Sequence, residues 1–136
     1  MANTATSIRD VRQYQEKDVD GQLKAVWHAG IGDDGRYLLH GVETWYYPDG
    51  GKQYQATYAL GRKVGVETLY RADGSRIWQW EHRANDTSRW TQWWTSRREK
   101  AESSWKNFHA DGPARTWNRR GELVHDVIFQ HGTIAE

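Results

Sequence analysis

The chain has 136 residues, enough for one domain or one short array of repeats, and its nine Trp and seven Tyr against two Phe and one Met exclude a disordered chain. Leu, Ile and Val are sparse and the mean hydropathy is -1.00, so indole and phenol rings must supply most of the buried area. Nineteen Lys and Arg balance eighteen Asp and Glu to +1, which excludes a global basic field for nucleic acid, and the lack of cysteine excludes disulfides, thiolate metal sites and a cysteine nucleophile.

The opening MANTATSIRDVRQYQEK has no apolar core of a secretory signal, and no run approaches the ~20 apolar residues of a spanning helix. A cytoplasmic protein is expected. Val11 and Tyr14 among charged residues read as one edge strand or a lead-in segment. Asp20 and Gly21 make a turn, and QLKAVWHA then alternates Leu23, Ala25 and Trp27 onto one side of a strand. Gly30 to Gly35, GIGDDG, reads as a hairpin loop. Its Asp33 and Asp34 lack the alternating oxygen ligands and downstream glutamate of a calcium loop, so neither a metal nor a cofactor is expected. Residues 1–37 are thus N-terminal strands and a glycine-rich loop, a degenerate first repeat, and 38–136 the hairpin repeats.

The repeat becomes countable at Gly41. Gly41 to Gly50 reads GVETWYYPDG and Gly65 to Gly74 reads GVETLYRADG, 24 residues later. A further 24 residues gives Arg89 to Arg98, RWTQWWTSRR, with both glycines replaced, and 23 more gives Gly112 to Gly121, GPARTWNRRG. On that frame Tyr46, Tyr70, Trp94 and Trp117 form one aromatic column. Tyr58, His82, Trp105 and Phe129 form a second column, read with the first as the structural core. Three residues on, Gly61, Asn85, Phe108 and Gly132 predict tight turns, with Phe108 the departure from residues that accept positive φ. Apolar spacing of two and frequent turn signals predict an all-β, antiparallel meander of stacked hairpins of period 23–24. Ten such strands at ~4.8 Å span about 45 Å.

Trp45 and Trp93 share one position of this frame and alternate away from Tyr46 and Trp94, so with Trp78 and Trp90 they are the candidate exposed binding aromatics. Between Tyr58 and Gly74, Arg62, Lys63, Glu67 and Leu69 are left to face a partner. Catalytic signals are weak. No HExxH or Walker pattern occurs, Ser103 and Ser104 lack a nucleophile elbow, and His82 reads as a ring-packing substitute. Glu43 and Glu67 are equivalent positions that repetition explains without acid and base chemistry. The C-terminal Arg97, Arg98, Lys100, Arg115, Arg119 and Arg120 read as a solvated face.

The run LGRKVGVETLYRADG, Leu60 to Gly74, and WYYPDGGK at Trp45 to Lys52 resemble the MORN repeat, in the variant found in bacterial proteins labelled antitoxin components of toxin-antitoxin systems. The likeness covers about Leu38 to Gly132 and is weakest in the third unit. It implies a twisted stack of β-hairpins with a non-enzymatic role in protein binding, scaffolding or self-association. The expected partner is therefore a protein, or a second copy in a homodimer. A carbohydrate-binding module using the Trp and Tyr rings is the alternative, and neither nucleic acid nor a membrane surface is an expected partner.

Overall fold

The computed structural model describes residues 4–135. Twelve strands make a single sheet: β1 Ile8–Lys17, β2 Leu23–Gly32, β3 Tyr37–Leu39, β4 Gly41–Tyr46, β5 Lys52–Ala59, β6 Arg62–Tyr70, β7 Arg76–His82, β8 Thr87–Thr95, β9 Arg98–Lys106, β10 His109–Trp117, β11 Leu123–Gln130 and β12 Thr133–Ile134. Spatial order follows chain order, except that β3 pairs with β2 beside β4, and every pairing is antiparallel. The predicted all-β meander of consecutive hairpins is the observed fold. Two short strands, β3 and β12, add to the ten expected. The main path spans roughly 48 Å at the usual spacing between neighbouring strands.

Two kinds of turn alternate along the two rims of the sheet. On one rim Gly21, Gly50, Gly74 and Gly121 each donate an N–H to the carbonyl three residues back, with φ of 82°, 93°, 89° and 86°. Only glycine takes that backbone without strain, and the acceptors Asp18 Oδ1, Asp49 Oδ1, Asp73 Oδ1 and Asn118 Oδ1 hold the same turns from within. On the other rim Leu60-Gly61, Asn107-Phe108 and His131-Gly132 are two-residue turns with both φ positive, the hairpin geometry that matches strand twist. Asn85 and Asp86 do the same inside a longer turn. Phe108, the departure, is forced to φ 66°, at a cost of about 1–2 kcal/mol for a residue with a Cβ.

Neighbouring units are also tied at these rims. Gly61 N–H donates to Leu39 O at 2.8 Å, Asn107 N–H to Asp86 O at 3.0 Å, and Gly132 N–H to Ala110 O at 2.8 Å. Opposite them, Tyr47 OH donates to Tyr70 O at 2.5 Å, Arg71 to Trp93 O at 2.9 Å and Trp94 O at 3.0 Å, and Trp94 Nε1 to Trp117 O at 2.9 Å.

The third unit is shifted by one residue from the sequence frame. Tyr58, His82, Trp105 and Phe129 pair with Gly41, Gly65, Ser88 and Gly112, so the unit begins at Ser88 rather than Arg89. The inner aromatic column is then Tyr46, Tyr70, Trp93 and Trp117, while Trp94 joins Tyr47, Arg71 and Asn118 in the column that ties units together. A one-residue slip exchanges the two faces of a strand. Trp93, expected to be an exposed binding residue, is accordingly 9% exposed, with the Arg76 guanidinium 4.1 Å above its ring. Trp94 lies between Lys100 and Arg119, at 4.4 and 4.5 Å from its ring.

Among the described residues no element covers either face, and no large side chain is fully buried. Tyr46, Tyr70, Trp117, Tyr58, Trp105 and Phe129 are half-buried. The best-buried side chains are small, namely Ala5, Ala25, Ala29, Ala56, Thr44, Thr68 and Thr91, with Glu67 and Trp93 the larger exceptions. No helix of the described residues is long and apolar enough to cross a membrane. Trp93→Ala is expected to destabilise by about 3 kcal/mol, the cost of truncating a buried ring, and Trp45→Ala by less than half of that in urea denaturation. Equal losses would return Trp93 to the position of Trp45.

Candidate functional site

Pairing sorts the side chains of the central strands onto two unlike faces. One row runs Val26, Thr44, Gln55, Thr68, Gln79, Thr91, Glu102, Arg115, Asp126. Gln55 Nε2 donates to Thr44 Oγ1 at 3.0 Å and Thr68 Oγ1 to Gln79 at 3.3 Å, and the row ends in an ion ladder. Glu102 takes Arg89 and, at 3.0 Å, Arg115, which reaches Asp126 at 3.2 Å. This polar row is self-satisfied, and the column of Tyr46, Tyr70, Trp93 and Trp117 follows it two residues along the same face.

The opposite face is aromatic. Its outer row is Ala25, Trp45, Tyr54, Leu69, Trp78, Gln92, Ala101. Its middle row has Glu67, Trp80, Trp90 and Ser103, and its inner row has His82, Ser88 and Trp105. The indoles pack on each other at steep angles. Trp78 and Trp90 lie 5.2 Å apart at 32°, Trp80 and Trp90 4.9 Å at 53°, and Trp80 and Trp105 5.8 Å at 67°, while Tyr54 meets Trp78 edge-on. Three of the four expected binding aromatics, Trp45, Trp78 and Trp90, thus share this face and are half-buried, whereas Trp93 lies on the other. Trp80 and Tyr54, outside the expected set of binding aromatics, lie on this face too. Their signal was available in the alternation of RIWQWEH and KQYQATYA once the strands were paired.

A charged cluster sits inside the aromatic face. Glu67, expected to face a partner, is instead 5% exposed and accepts from Lys63 Nζ at 2.7 Å, from His82 Nε2 at 3.0 Å and from the Tyr54 hydroxyl. An ionised carboxylate only accepts, so the His82 proton sits on Nε2. Burial pushes the Glu67 carboxyl up, but the hydrogen bonds from Lys63, Tyr54 and His82 together outweigh it and leave it below the ordinary glutamate value. Burial and, beyond it, the bond to Glu67 push the Tyr54 phenol far up. Glu43 goes the other way from Glu67. Burial raises its carboxyl, Lys63 opposes that, and the charge of Glu67 adds to it. His82 also stacks on Trp80 at 6.2 Å and 19°.

The remaining sequence candidates are occupied within the chain. Asp33 accepts twice from Thr6, at 2.9 and 2.6 Å, and Asp34 from Arg36 at 2.6 Å. Among the described residues no three His, Asp or Glu are placed to hold a metal ion. Of the basic C-terminal residues, Arg98 donates to Arg120 O at 2.6 Å, while Lys100, Arg115 and Arg119 are held as above. No protein-family model matches the chain, and no curated protein is similar to it.

The Glu67 cluster generates an acid limb. A carboxyl depressed in the folded state contributes stability above its unfolded value of 4.5 and loses it as pH falls through the lower native value. Glu43 titrates with the opposite sign, so the comparison to make is with Glu67→Gln. Thermal melts between neutral pH and pH 3 are expected to fall more steeply for the wild type than for Glu67→Gln; parallel curves would remove Glu67 as the source.

Proposed function

We propose that the chain is a non-enzymatic, MORN-like repeat module that binds a partner protein through its aromatic face, as a scaffold or antitoxin-like component. The observation that carries this reading is the uninterrupted field of half-exposed rings from Trp45 through Tyr54, Trp78, Trp90 and Trp80 to Trp105, on one face of a sheet with no second layer across it. Aromatic surface of that extent is characteristic of protein interfaces. The likeness of GVETWYYPDG and GVETLYRADG to MORN units supports the same reading.

The ring geometry favours a protein over a carbohydrate. A ring that stacks on a sugar presents a whole open face, whereas Trp78, Trp80, Trp90 and Trp105 pack against one another at tilted and edge-on angles. The state of Glu67 favours binding over catalysis, since a carboxylate kept ionised by three donors is a structural anion rather than a general acid. Self-association belongs to the same reading. The outer edge of β11 is paired by β12 only at Phe129 and Gln130, and Leu123, Val124 and Ile128 there are exposed, which leaves room for a strand from a second copy.

A photo-crosslinking residue at position 45 or 78 is expected to capture one partner protein in the native cell. The same residue at position 66, on the polar face, is expected not to capture it. Equal capture from both faces would refute the aromatic face as the contact. Tryptophan emission is expected to stay unchanged across soluble polysaccharides, and a saturable shift with one of them would favour the carbohydrate reading.

A further inference from the structure

Phe108 fills the second position of a two-residue turn, the position that Gly61 and Gly132 fill in other units, and it is held at φ 66° with 97% of its surface exposed. Neither packing nor turn geometry explains a phenyl ring there: glycine would relieve the backbone and water would not miss the ring. The ring forms one wall of a depression of about 350 Å³ whose other walls include Arg62, Lys63, His82, Arg83 and Asp86. This hollow gathers the turns between β5 and β6, β7 and β8, and β9 and β10, and it is continuous with the inner row of the aromatic face through His82 and Ser88.

The charges of the hollow are unequally committed. Lys63 is held by Glu67 at 2.7 Å. Arg62 meets Asp86 at 3.3 Å with the two side chains 71% and 60% exposed, and Arg83 meets Glu81 at 3.6 Å. Ion pairs that open to water are worth little, so an arriving carboxylate exchanges with them readily. Two forked guanidinium groups beside one exposed ring recognise carboxylates next to an apolar side chain.

We infer that this hollow receives an acidic segment of the partner protein bearing a large apolar residue, which packs on Phe108 while Arg62 and Arg83 hold the flanking carboxylates. The inference rests on the protein-binding reading above and gives the chemistry of the partner.

The test uses the full chain and three sets of short fluorescent peptides: Glu-rich with one central Trp or Leu, Glu-rich without it, and Ser-rich with the same central residue. The first set is expected to bind, to weaken with added salt, and to lose at least about tenfold in affinity with Phe108→Gly and again with Arg62→Gln combined with Arg83→Gln. Phe108→Gly is expected to melt at or above the wild-type temperature, so that loss of binding is not loss of fold. Unchanged affinity in Phe108→Gly overturns the inference. So does a preference for anionic vesicles or a single-stranded oligonucleotide over every peptide. Binding of the Ser-rich set that depends on Trp78 and Trp90 and ignores Phe108 overturns the acidic site while leaving the aromatic face as a protein-binding surface. No binding by any peptide overturns the acidic site, and crosslinking at position 45 then decides separately on the face.

Discussion

A sheet one layer thick cannot surround a side chain, and every other feature of this structure follows from that limit. Apart from Trp93, no large apolar residue is buried, so cohesion passes to the backbone ladders and to the hydrogen bonds that tie each hairpin to the next at both rims. Trp, Tyr and Arg suit this work because each combines a wide flat surface with a donor at its end. Tyr47, Arg71 and Trp94 occupy equivalent places in successive units and reach the carbonyl of Tyr70, Trp93 and Trp117 in turn, by three different chemistries. Stability in such an array accrues between neighbours rather than around a centre.

The two faces answer the same limit differently. One closes its hydrogen bonds within itself, from Thr44 and Gln55 through to the ladder of Glu102, Arg115 and Asp126, and so needs no covering layer. The other collects indoles and phenols around a carboxylate whose burial is tolerable only because Lys63, Tyr54 and His82 all donate to it. That asymmetry is the ground on which the aromatic face is proposed as the side that meets a partner.

The repeat, the strand periodicity and most turns were legible in the sequence, because glycine and asparagine at fixed intervals report local backbone demands that no tertiary contact overrides. The columns were legible only where spacing was constant. Between Gly65 and Ser88 the unit loses one residue; with neither flanking glycine present in the third unit, the 23-residue step from His82 to Trp105 was the one mark of the loss in the sequence. One residue was enough to exchange Trp93 and Trp94 between faces. The Glu67 cluster was hidden for another reason. Tyr54, Lys63, Glu67 and His82 come from three strands, and their meeting depends on the irregular pairing where Gln55 and Thr57 of β5 oppose Thr68 and Val64 of β6.

The sequence alone therefore determined an all-β meander of hairpins, the place of its turns and the aromatic character of its cohesion, since these depend on backbone geometry and composition. Tertiary structure alone decided which aromatic residues face outward and which carboxylate is buried. It also decided that Phe108 stands exposed beside Arg62 and Arg83, because each of these is a matter of register between strands, which local sequence does not encode.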